Sequence, residues 1–294
     1  MLTYDREPLL IAPQDYLVDG QGRIENPVGL FGSKLEVDYY IITGAIDTIT
    51  NLFKAVNMGG LEVQELVISN LASSFSVLSP SEKDAGVILL DIGSSTTEVT
   101  IFTKGIVRFD RMLATGVDNL IKVLAVELKI QRDIATKAIK NYCRLYSLRP
   151  DDLDEMILIK GSSPPKTITQ QQLQQIIEPK VRELLNMAKE AIQSSDCALT
   201  ASSGLALIGG ISAMDGLAEL AEHIFNMPVR VGVPKGLTST FTNSIDMSYV
   251  TAIGLAMYGC QKQDNKGINR QLSKNVFKRA FQAAKDFVYD YFLI

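Results

Sequence analysis

Histidine and cysteine are scarce in this sequence, and their scarcity narrows the chemistry that it can carry out. The three cysteines, Cys143, Cys197 and Cys260, are far apart and odd in number. They fit neither a disulfide framework nor the spacing of a metal site, which suits a reducing compartment. His223 is the only histidine and lies in a stretch that we predict to be helical. Histidine catalysis and a histidine-rich metal site are therefore nearly excluded.

Long apolar runs are also absent. The first residues include Asp5, Arg6 and Glu7, where a secretory signal would need an apolar stretch, so we predict no export signal. No run approaches the roughly 20 apolar residues of a membrane-spanning helix. The chain has 294 residues, of which 46% are apolar and 21% are charged. This composition and length favour a globular protein with a buried core and two lobes.

Charge is distributed unevenly along the chain. Residues 261–294 carry seven Lys or Arg and three Asp, whereas the other 260 residues carry 22 Lys or Arg and 30 Asp or Glu. An acidic body argues against general nucleic-acid binding, so no nucleic-acid partner is expected. The basic tail indicates an anionic partner for the tail alone.

Short strands and helices alternate along the sequence. Apolar alternation and helical spacing, with turn signals such as Gly59–Gly60, place these elements. The predicted strands span 9–20, 34–43, 61–69, 86–93, 96–102, 106–113, 204–210 and 228–234. The predicted helices span 45–58, 70–78, 117–158, 171–192, 213–225 and 248–259. Pro179 is expected in a first turn or at a kink, 160–167 is a loop and 261–270 a polar linker. This order predicts an α/β architecture with a helical subdomain inserted at 117–175.

The stretch LLDIGSSTTEV, at residues 89–99, is the first candidate site. Asp91 ends a buried strand, and Gly93 allows a turn that a side chain would resist. The turn then offers hydroxyl and backbone N–H groups from Ser94, Ser95, Thr96 and Thr97. Successive N–H groups in a tight turn form an anion site, and a neighbouring carboxylate can hold Mg²⁺, usually through water. The alternative is an ordinary hairpin with Asp and Gly as turn residues.

The stretch LALIGGISAMDG, at residues 205–216, is the second candidate site. Gly209 and Gly210 follow a strand directly, so another backbone or a flat ligand could approach closely. Ser212 is predicted to cap the following helix, whose N-terminus faces the same place. The alternative is a routine strand-to-helix turn with a serine cap.

The C-terminal stretch 272–294 forms an apolar stripe at helical spacing, flanked by basic residues. A basic aromatic helix after a polar linker is typical of an interfacial membrane anchor. The alternative is a terminal helix docked on the protein's own core. The candidate membrane residues are Val276, Phe277, Lys278, Arg279, Phe281, Phe287 and Val288.

The two candidate sites, in this order and separated by an inserted subdomain, resemble the second phosphate motif and the adenosine motif of the actin, Hsp70 and sugar-kinase fold. Within that fold, nearly the whole chain is similar to the bacterial cell-division family FtsA. The stretches that carry the resemblance include IAPQDYLVDGQGRIENPVGLFG, DIGSSTTEV and LIGGISAMDGLAELAEHIF. The resemblance implies ATP and Mg²⁺ as cofactors and adds Gly216 to the adenosine side.

The resemblance also implies a division into subdomains. These are an FtsA-type extra subdomain (SHS2-like) at 8–60, part of the first lobe at 61–84, the second-lobe core at 85–116 and 176–260, the inserted subdomain at 117–175, a linker at 261–271 and an amphipathic helix at 272–294.

Two departures from the family pattern affect the nucleotide site. FtsA-like chains more often have glycines where Ser94 and Ser95 stand, so the phosphate contacts are expected to differ. The first phosphate hairpin, with its own DxG motif, would precede the extra subdomain, and we find no such hairpin in the sequence. We therefore expect an N-terminally truncated form of a longer protein, with an incomplete site.

The resemblance implies an adaptor that tethers filaments of the tubulin-like FtsZ to the cytoplasmic side of the inner membrane at the division site. Lys180 and Glu183 stand where the family has a basic and an acidic residue for the FtsZ C-terminal peptide. Self-association into actin-like filaments and binding of later division proteins are also implied. The alternatives are a pilus-assembly protein of the PilM type and a catalytic ATPase of the same fold, whose water-positioning residue we cannot identify in this sequence.

Overall fold

The computed structural model describes residues 4–145, 155–159, 166–195, 197, 201–235 and 247–269. Within these ranges, no helix combines the length and the apolar character that crossing a bilayer requires.

An antiparallel three-stranded sheet forms the N-terminal part of the fold. Its strands are β1 (Arg6–Val18), β2 (Gln21–Ile24) and β3 (Leu35–Ala45), in the order β2-β1-β3. Helix α1 (Ile46–Met58) follows β3 directly. It ends at Gly59 and Gly60, and Gly60 has the positive φ of +77° expected of a helix stop.

A five-stranded mixed sheet forms the centre of the molecule. It contains β4 (Val87–Ile92), β5 (Thr97–Thr103), β6 (Ile106–Leu113), β9 (Leu205–Ile208) and β10 (Val229–Val231), in the order β10-β9-β4-β5-β6. Strands β4, β9 and β10 run parallel, whereas β5 and β6 are antiparallel additions. Since successive side chains point to opposite faces, Leu90 and Leu89 enter separate apolar clusters on the two sides.

Helices cover both faces of this central sheet. Helices α2 (Ser69–Val77) and α3 (Pro80–Ala85) precede the strands β4 to β6. Helices α4 (Val117–Leu128) and α5 (Arg132–Tyr142) follow them. A small antiparallel pair, β7 (Met156–Ile159) and β8 (Lys166–Thr169), leads into the long helix α6 (Gln170–Gln193). Helices α7 (Leu217–Phe225) and α8 (Val250–Asn269) complete the described fold.

The packing of α8 against α2 depends on a glycine. A Cβ at Gly254 would lie 2.0 Å from the carbonyl oxygen of Ala72, so only glycine permits this approach.

The three-stranded sheet lies against the β6 edge of the central sheet. The Tyr40 hydroxyl donates to the carbonyl oxygen of Asp110 and accepts from its N–H, both at 3.0 Å. The Gln14 side chain donates to the carbonyl oxygen of Val107 at 2.9 Å, and the Arg108 guanidinium donates to the carbonyl oxygen of Gln14 at the same distance. These bonds engage backbone groups along the edge strand, which blunts an otherwise exposed edge.

Two predicted secondary-structure assignments in the first half of the chain were wrong. Residues 61–68 are not a strand, because no described strand lies beside them to complete a ladder. The predicted helix 117–158 is two helices followed by strand β7. Lys129, with φ of +50°, ends α4, and the alternating burial of residues 156–159 suits their pairing with β8.

Two predicted details in the second half were also wrong, and a third keeps one of its two alternatives. Pro179 lies well inside α6 and not in its first turn, which leaves the kink as the prediction. The helix predicted from residue 213 begins at Leu217, because Gly216 adopts a left-handed conformation at its N-cap, so Ser212 is not a cap. The linker predicted at 261–270 is helical through Asn269, as a continuation of α8.

Candidate functional site

Two loops emerge side by side from the central sheet. Strands β4 and β9 are parallel neighbours, with Asp91 paired with Ile208 at their carboxyl ends. The loop after β4 begins at Gly93 and the loop after β9 begins at Gly209. Because carboxyl ends of parallel strands meet at one sheet edge, the two sequence motifs form one site.

The loop after β4, residues 93–96, is a tight turn fastened to helix α4. The Gly93 N–H donates to the carbonyl oxygen of Thr96 at 2.9 Å and closes the turn. The carbonyl oxygens of Gly93 and Ser94 accept from the N–H groups of Val117 at 3.0 Å and Asp118 at 2.8 Å. The loop carbonyls thus satisfy the first N–H groups of α4, which have no partner within their own helix.

Gly116 makes this contact between loop and helix possible. A Cβ at this position would lie 2.5 Å from the carbonyl oxygen of Ser94 and 2.6 Å from that of Gly93. Since real side chains do not approach a carbonyl oxygen that closely, any other residue would push the loop away from α4.

The hydroxyl groups of the loop are engaged by the protein itself. Ser94 donates to one carboxylate oxygen of Asp118 at 3.0 Å, and Ser95 donates to the other at 3.1 Å. Thr97 is buried and donates to the carbonyl oxygen of Thr115 at 2.9 Å. Thr96 is exposed. The hydroxyls of Ser94, Ser95 and Thr97 are thus engaged by the protein itself, and the prediction that this turn contacts a ligand stays a prediction.

Asp91 lies against the backbone of the second loop. A Cβ on Gly209 would come within 2.7 Å of Asp91 Oδ1 and 2.2 Å of the Ile92 carbonyl oxygen, and Gly209 has φ of +102°. Both the space and the backbone conformation therefore require glycine. Burial raises the pKa of the Asp91 carboxyl to about 6.

Two further acids share a face of the sheet with Asp91. Glu98 is paired with Asp91 across the β4–β5 hairpin. Its pKa is raised to about 8, first by burial and then by the charges of Asp110 and Asp91. Burial also raises the pKa of Asp110, which accepts a hydrogen bond from Thr100 at 2.5 Å. Sequence reasoning missed both residues, although the two-residue period of β5 places Glu98 beside Asp91.

A cavity of about 640 Å³ opens between the two loops and the inserted helices. Gly93, Ser94 and Val117 line one side, and Gly210 and Ile211 line the other. Helices α4 and α5 contribute apolar walls, including Ile121 and Ile139. The cavity combines apolar walls with an N–H-rich turn, the combination expected for a small-molecule site.

Several of the site residues predicted from the sequence are not among the residues that line this cavity, namely Asp91, Ser95, Thr96, Thr97, Gly209, Ser212 and Gly216. Ser212 is 1% exposed, and its hydroxyl oxygen lacks a hydrogen-bond partner in the described structure. Gly216 starts α7. The described ranges hold no group of three or more His, Cys, Asp or Glu side chains arranged around a metal ion.

Lys180 and Glu183 lie on the surface of α6. Their side chains pair with each other, with Lys180 Nζ 2.7 Å from Glu183 Oε2. The side chains are 38% and 55% exposed, so both are accessible to a partner.

The seven candidate membrane residues lie outside the described residues. They are Val276, Phe277, Lys278, Arg279, Phe281, Phe287 and Val288.

Comparison with solved structures defines the class of fold. The chain matches the PilM–PilN type IV pilus biogenesis complex with a TM-score of 0.63 and 17% identity, over 88% of this chain and 68% of that one. It matches MreB5 of Spiroplasma citri bound to ADP with a TM-score of 0.62 and 14% identity, over 77% of this chain and 68% of that one. The protein has an actin-like fold.

The sequence comparisons assign the family. The family model "Cell division protein FtsA" matches residues 88–254, and "SHS2 domain inserted in FTSA" matches residues 2–43. The chain is 36% identical to the cell-division protein FtsA of Pseudomonas aeruginosa, over 89% of this chain and 63% of that protein. It is 32% identical to FtsA of Escherichia coli K12, over 87% of this chain and 63% of the relative. The chain belongs to the FtsA family, and it spans about 63% of the length of these two relatives.

Proposed function

We propose that this member of the FtsA family binds a nucleotide at the described sheet edge and tethers FtsZ filaments to the inner membrane at the division site. The observation that carries the nucleotide part is the meeting of the β4 turn and the glycine loop at one cavity. Crystal structures of MreB5 of Spiroplasma citri contain ADP or AMPPNP. This supports adenine nucleotides as the first ligands to test.

The residues present fit ATP with Mg²⁺. The backbone N–H groups of Ser94 and Ser95 make no hydrogen bond to any other described residue, so they are free to bind phosphate oxygens. Asp91 would hold Mg²⁺, normally through water, and the ion would neutralise phosphate charge. Gly210 and Ile211 would lie on the adenosine side. A nucleotide binds more tightly when protein encloses it on several sides. This chain supplies the cavity walls on the side of α4 and α5.

The partner site in this proposal is the surface of α6 that carries Lys180 and Glu183. Their ion pair is exposed, so exchanging it for contacts with a peptide costs little. An acidic and a basic group of an FtsZ C-terminal peptide would then each find an opposite charge. Lys180 can donate to a carboxylate of the peptide from a single nitrogen, whereas an arginine would make a bidentate contact. We therefore expect a lower affinity for the peptide than with arginine at this position.

Reversing the two charges together tests this site without removing the helical ion pair. The variant Lys180→Glu with Glu183→Lys keeps an opposite-charge pair at the same spacing but presents the opposite pattern to the peptide. Fluorescence anisotropy with labelled FtsZ C-terminal peptide should show about tenfold weaker binding, or ~1.4 kcal/mol. Glu190→Lys, an exposed charge reversal on the same helix, is the control and should bind like the wild type. An unchanged dissociation constant in the double variant would place the site elsewhere.

The membrane part of the proposal rests on the basic aromatic stretch at 272–294. One such helix binds reversibly, so stable attachment would come from several chains joined in a filament. Self-association and recruitment of later division proteins follow from the same proposal. The pilus-assembly alternative is supported only by fold similarity at 17% identity, and a labelled pilus peptide in the same anisotropy assay tests it. A phosphate-release assay tests the ATPase alternative.

A further inference from the structure

Asp118 binds both serines of the turn that we propose to hold phosphate. It is the second residue of α4, and it replaces solvent as the acceptor for the two neighbouring hydroxyls. The bonds from Ser94 and Ser95 end on different oxygens of the same carboxylate, at 3.0 and 3.1 Å. The backbone N–H of Asp118 also donates to the carbonyl oxygen of Ser94 at 2.8 Å. Three hydrogen bonds therefore join one helix residue to two loop residues.

The use of these hydroxyls limits what they can do for a ligand. A serine hydroxyl has a single hydrogen to donate. While the hydrogens of Ser94 and Ser95 point to Asp118, they cannot donate to an anionic phosphate as well. The loop N–H groups are not used in this way, because the Asp118 bonds involve only hydroxyls and one carbonyl oxygen. The side chains are thus committed to α4 and the amides remain available.

The charge of Asp118 is compensated in place. Arg132, the first residue of α5, lies 3.3 Å from the same Oδ1 that accepts from Ser94. A carboxylate in the first turn of a helix is also favoured by the helix dipole. Asp118 is absent from the cavity lining, although Ser94 and Val117 contribute to it. The carboxylate is therefore linked to the cavity through Ser94, whose hydroxyl it accepts from.

We propose that Asp118 is a positioning residue of the nucleotide site, which holds Ser94 and Ser95 so that the turn presents its backbone N–H groups to phosphate. The proposal rests on the proposed nucleotide binding for its ligand, but the contact itself is a property of the chain alone. The proposal accounts for two serines in this turn. Their hydroxyls could otherwise form hydrogen bonds with nearby backbone groups, but both donate to the Asp118 carboxylate instead. In a glycine turn the Asp118 carboxylate would have no hydroxyl to accept from.

Amide hydrogen exchange in the ligand-free full chain tests the contact without any nucleotide. Asp118→Ala should speed exchange in a peptide covering residues 91–97 by about tenfold, since two hydrogen bonds are lost. In the Ser94→Gly/Ser95→Gly background, the same substitution should change exchange by less than about twofold, because the hydroxyls are already gone. Glu127→Ala, an exposed acid further along α4, should leave exchange unchanged. Equal acceleration of exchange by Asp118→Ala in both backgrounds would overturn the proposal.

A second measurement separates positioning from general damage to the fold. Titrations with Mg·ADP and with adenosine, in the serine and the glycine backgrounds, form a double-mutant cycle. The loss of charge affects both backgrounds alike, so it cancels in the comparison. Asp118→Ala should weaken Mg·ADP about fivefold more in the serine background than in the glycine background, and should not change adenosine binding. An equal loss for adenosine would show a structural defect and refute positioning. If the wild type bound no ADP, the nucleotide proposal would fail, while the exchange cycle would still decide the role of Asp118 in the turn.

Discussion

Replacing Glu98 by glutamine should stabilise the chain above pH 7 and remove part of the pH dependence of its stability. Glu98 lies on β5 beside Asp91, on the face of the sheet that also carries Asp110. Burial, followed by repulsion from Asp110 and Asp91, raises its pKa to about 8 from an ordinary value of 4.5. The folded chain therefore binds a proton at Glu98 that the unfolded chain releases at neutral pH.

The sign and size of the effect follow from this difference in pKa. Below pH 4.5 both states hold the proton and Glu98 costs nothing. As the pH rises towards 8, the unfolded state ionises first, so the free energy of unfolding falls by roughly 1.4 kcal/mol per pH unit. Between pH 6 and pH 8 the loss from this one group is about 2 kcal/mol. Glutamine has nearly the same shape and no charge, so the loss should disappear.

Other shifted acids act in different pH ranges. Burial raises the pKa of Glu82, but hydrogen bonds from Ser79 and the nearby Arg230 guanidinium outweigh it, and the pKa falls to about 2. Its contribution is present above pH 4.5 and is lost as the pH falls towards 2. Asp91 has a pKa of about 6, so the loss of stability that it causes develops mainly between pH 4 and 6 and stays nearly constant above pH 6. The contribution of Glu98 between pH 6 and 8 is therefore obtained as the difference between the wild type and Glu98→Gln, in which the other titrating groups are common to both chains.

Urea unfolding followed by circular dichroism at pH 6, 7 and 8 measures the effect. The wild type should lose stability across this range, and Glu98→Gln should lose about 2 kcal/mol less. Glu127→Gln, at an exposed position on α4, is the matched control and should follow the wild type. Parallel pH profiles for wild type and Glu98→Gln would refute the reasoning, because they would mean that Glu98 ionises alike in both states.

Two further changes test the contacts and segments described above. Tyr40→Phe removes a hydroxyl that both donates to and accepts from the backbone of Asp110, and the unpaired groups should cost about 1–3 kcal/mol in urea unfolding. Tyr39→Phe, at a 54% exposed side chain, should cost under ~0.5 kcal/mol, and equal losses would show that the β6 contact is not specific. Phe277→Glu with Phe281→Glu places charges in the apolar stripe and should abolish co-sedimentation with anionic liposomes without changing the melting temperature. A lost thermal transition, with no liposome binding by the wild type, would instead indicate a helix docked on the core.

Local patterns in the sequence were sufficient for the β4–β6 meander and for the glycine loop. The apolar run before Asp91 is typical of a strand that is buried on both faces. Every residue from Val87 to Leu90 is indeed buried in the core. The turn at Lys104–Gly105 is set by two residues with positive φ. Such signals are contained within a few neighbouring residues, which is why the sequence alone reveals them.

Features that depend on distant partners were beyond the sequence. Residues 61–68 have a strand-like composition, but a strand exists only where another strand accepts its hydrogen bonds. Ser212 has the chemistry of a cap, but the left-handed Gly216 sets the helix start further on. The bond from Asn70 to Thr100, and from there to Asp110, joins three elements. No local pattern indicates it.

The site also shows which positions around the turn after β4 require glycine and which accept a side chain. At Gly116 and Gly209, a Cβ would collide with backbone carbonyl oxygens at 2.2–2.6 Å, and those atoms cannot move without breaking the sheet edge or the start of α4. At Ser94 and Ser95 the side chains extend outward and find a common acceptor in Asp118. The requirement for glycine is therefore steric and depends on what stands beside each position. The two serines of this turn share one acceptor, the Asp118 carboxylate on the neighbouring helix, so replacing either serine should be energetically coupled to replacing Asp118.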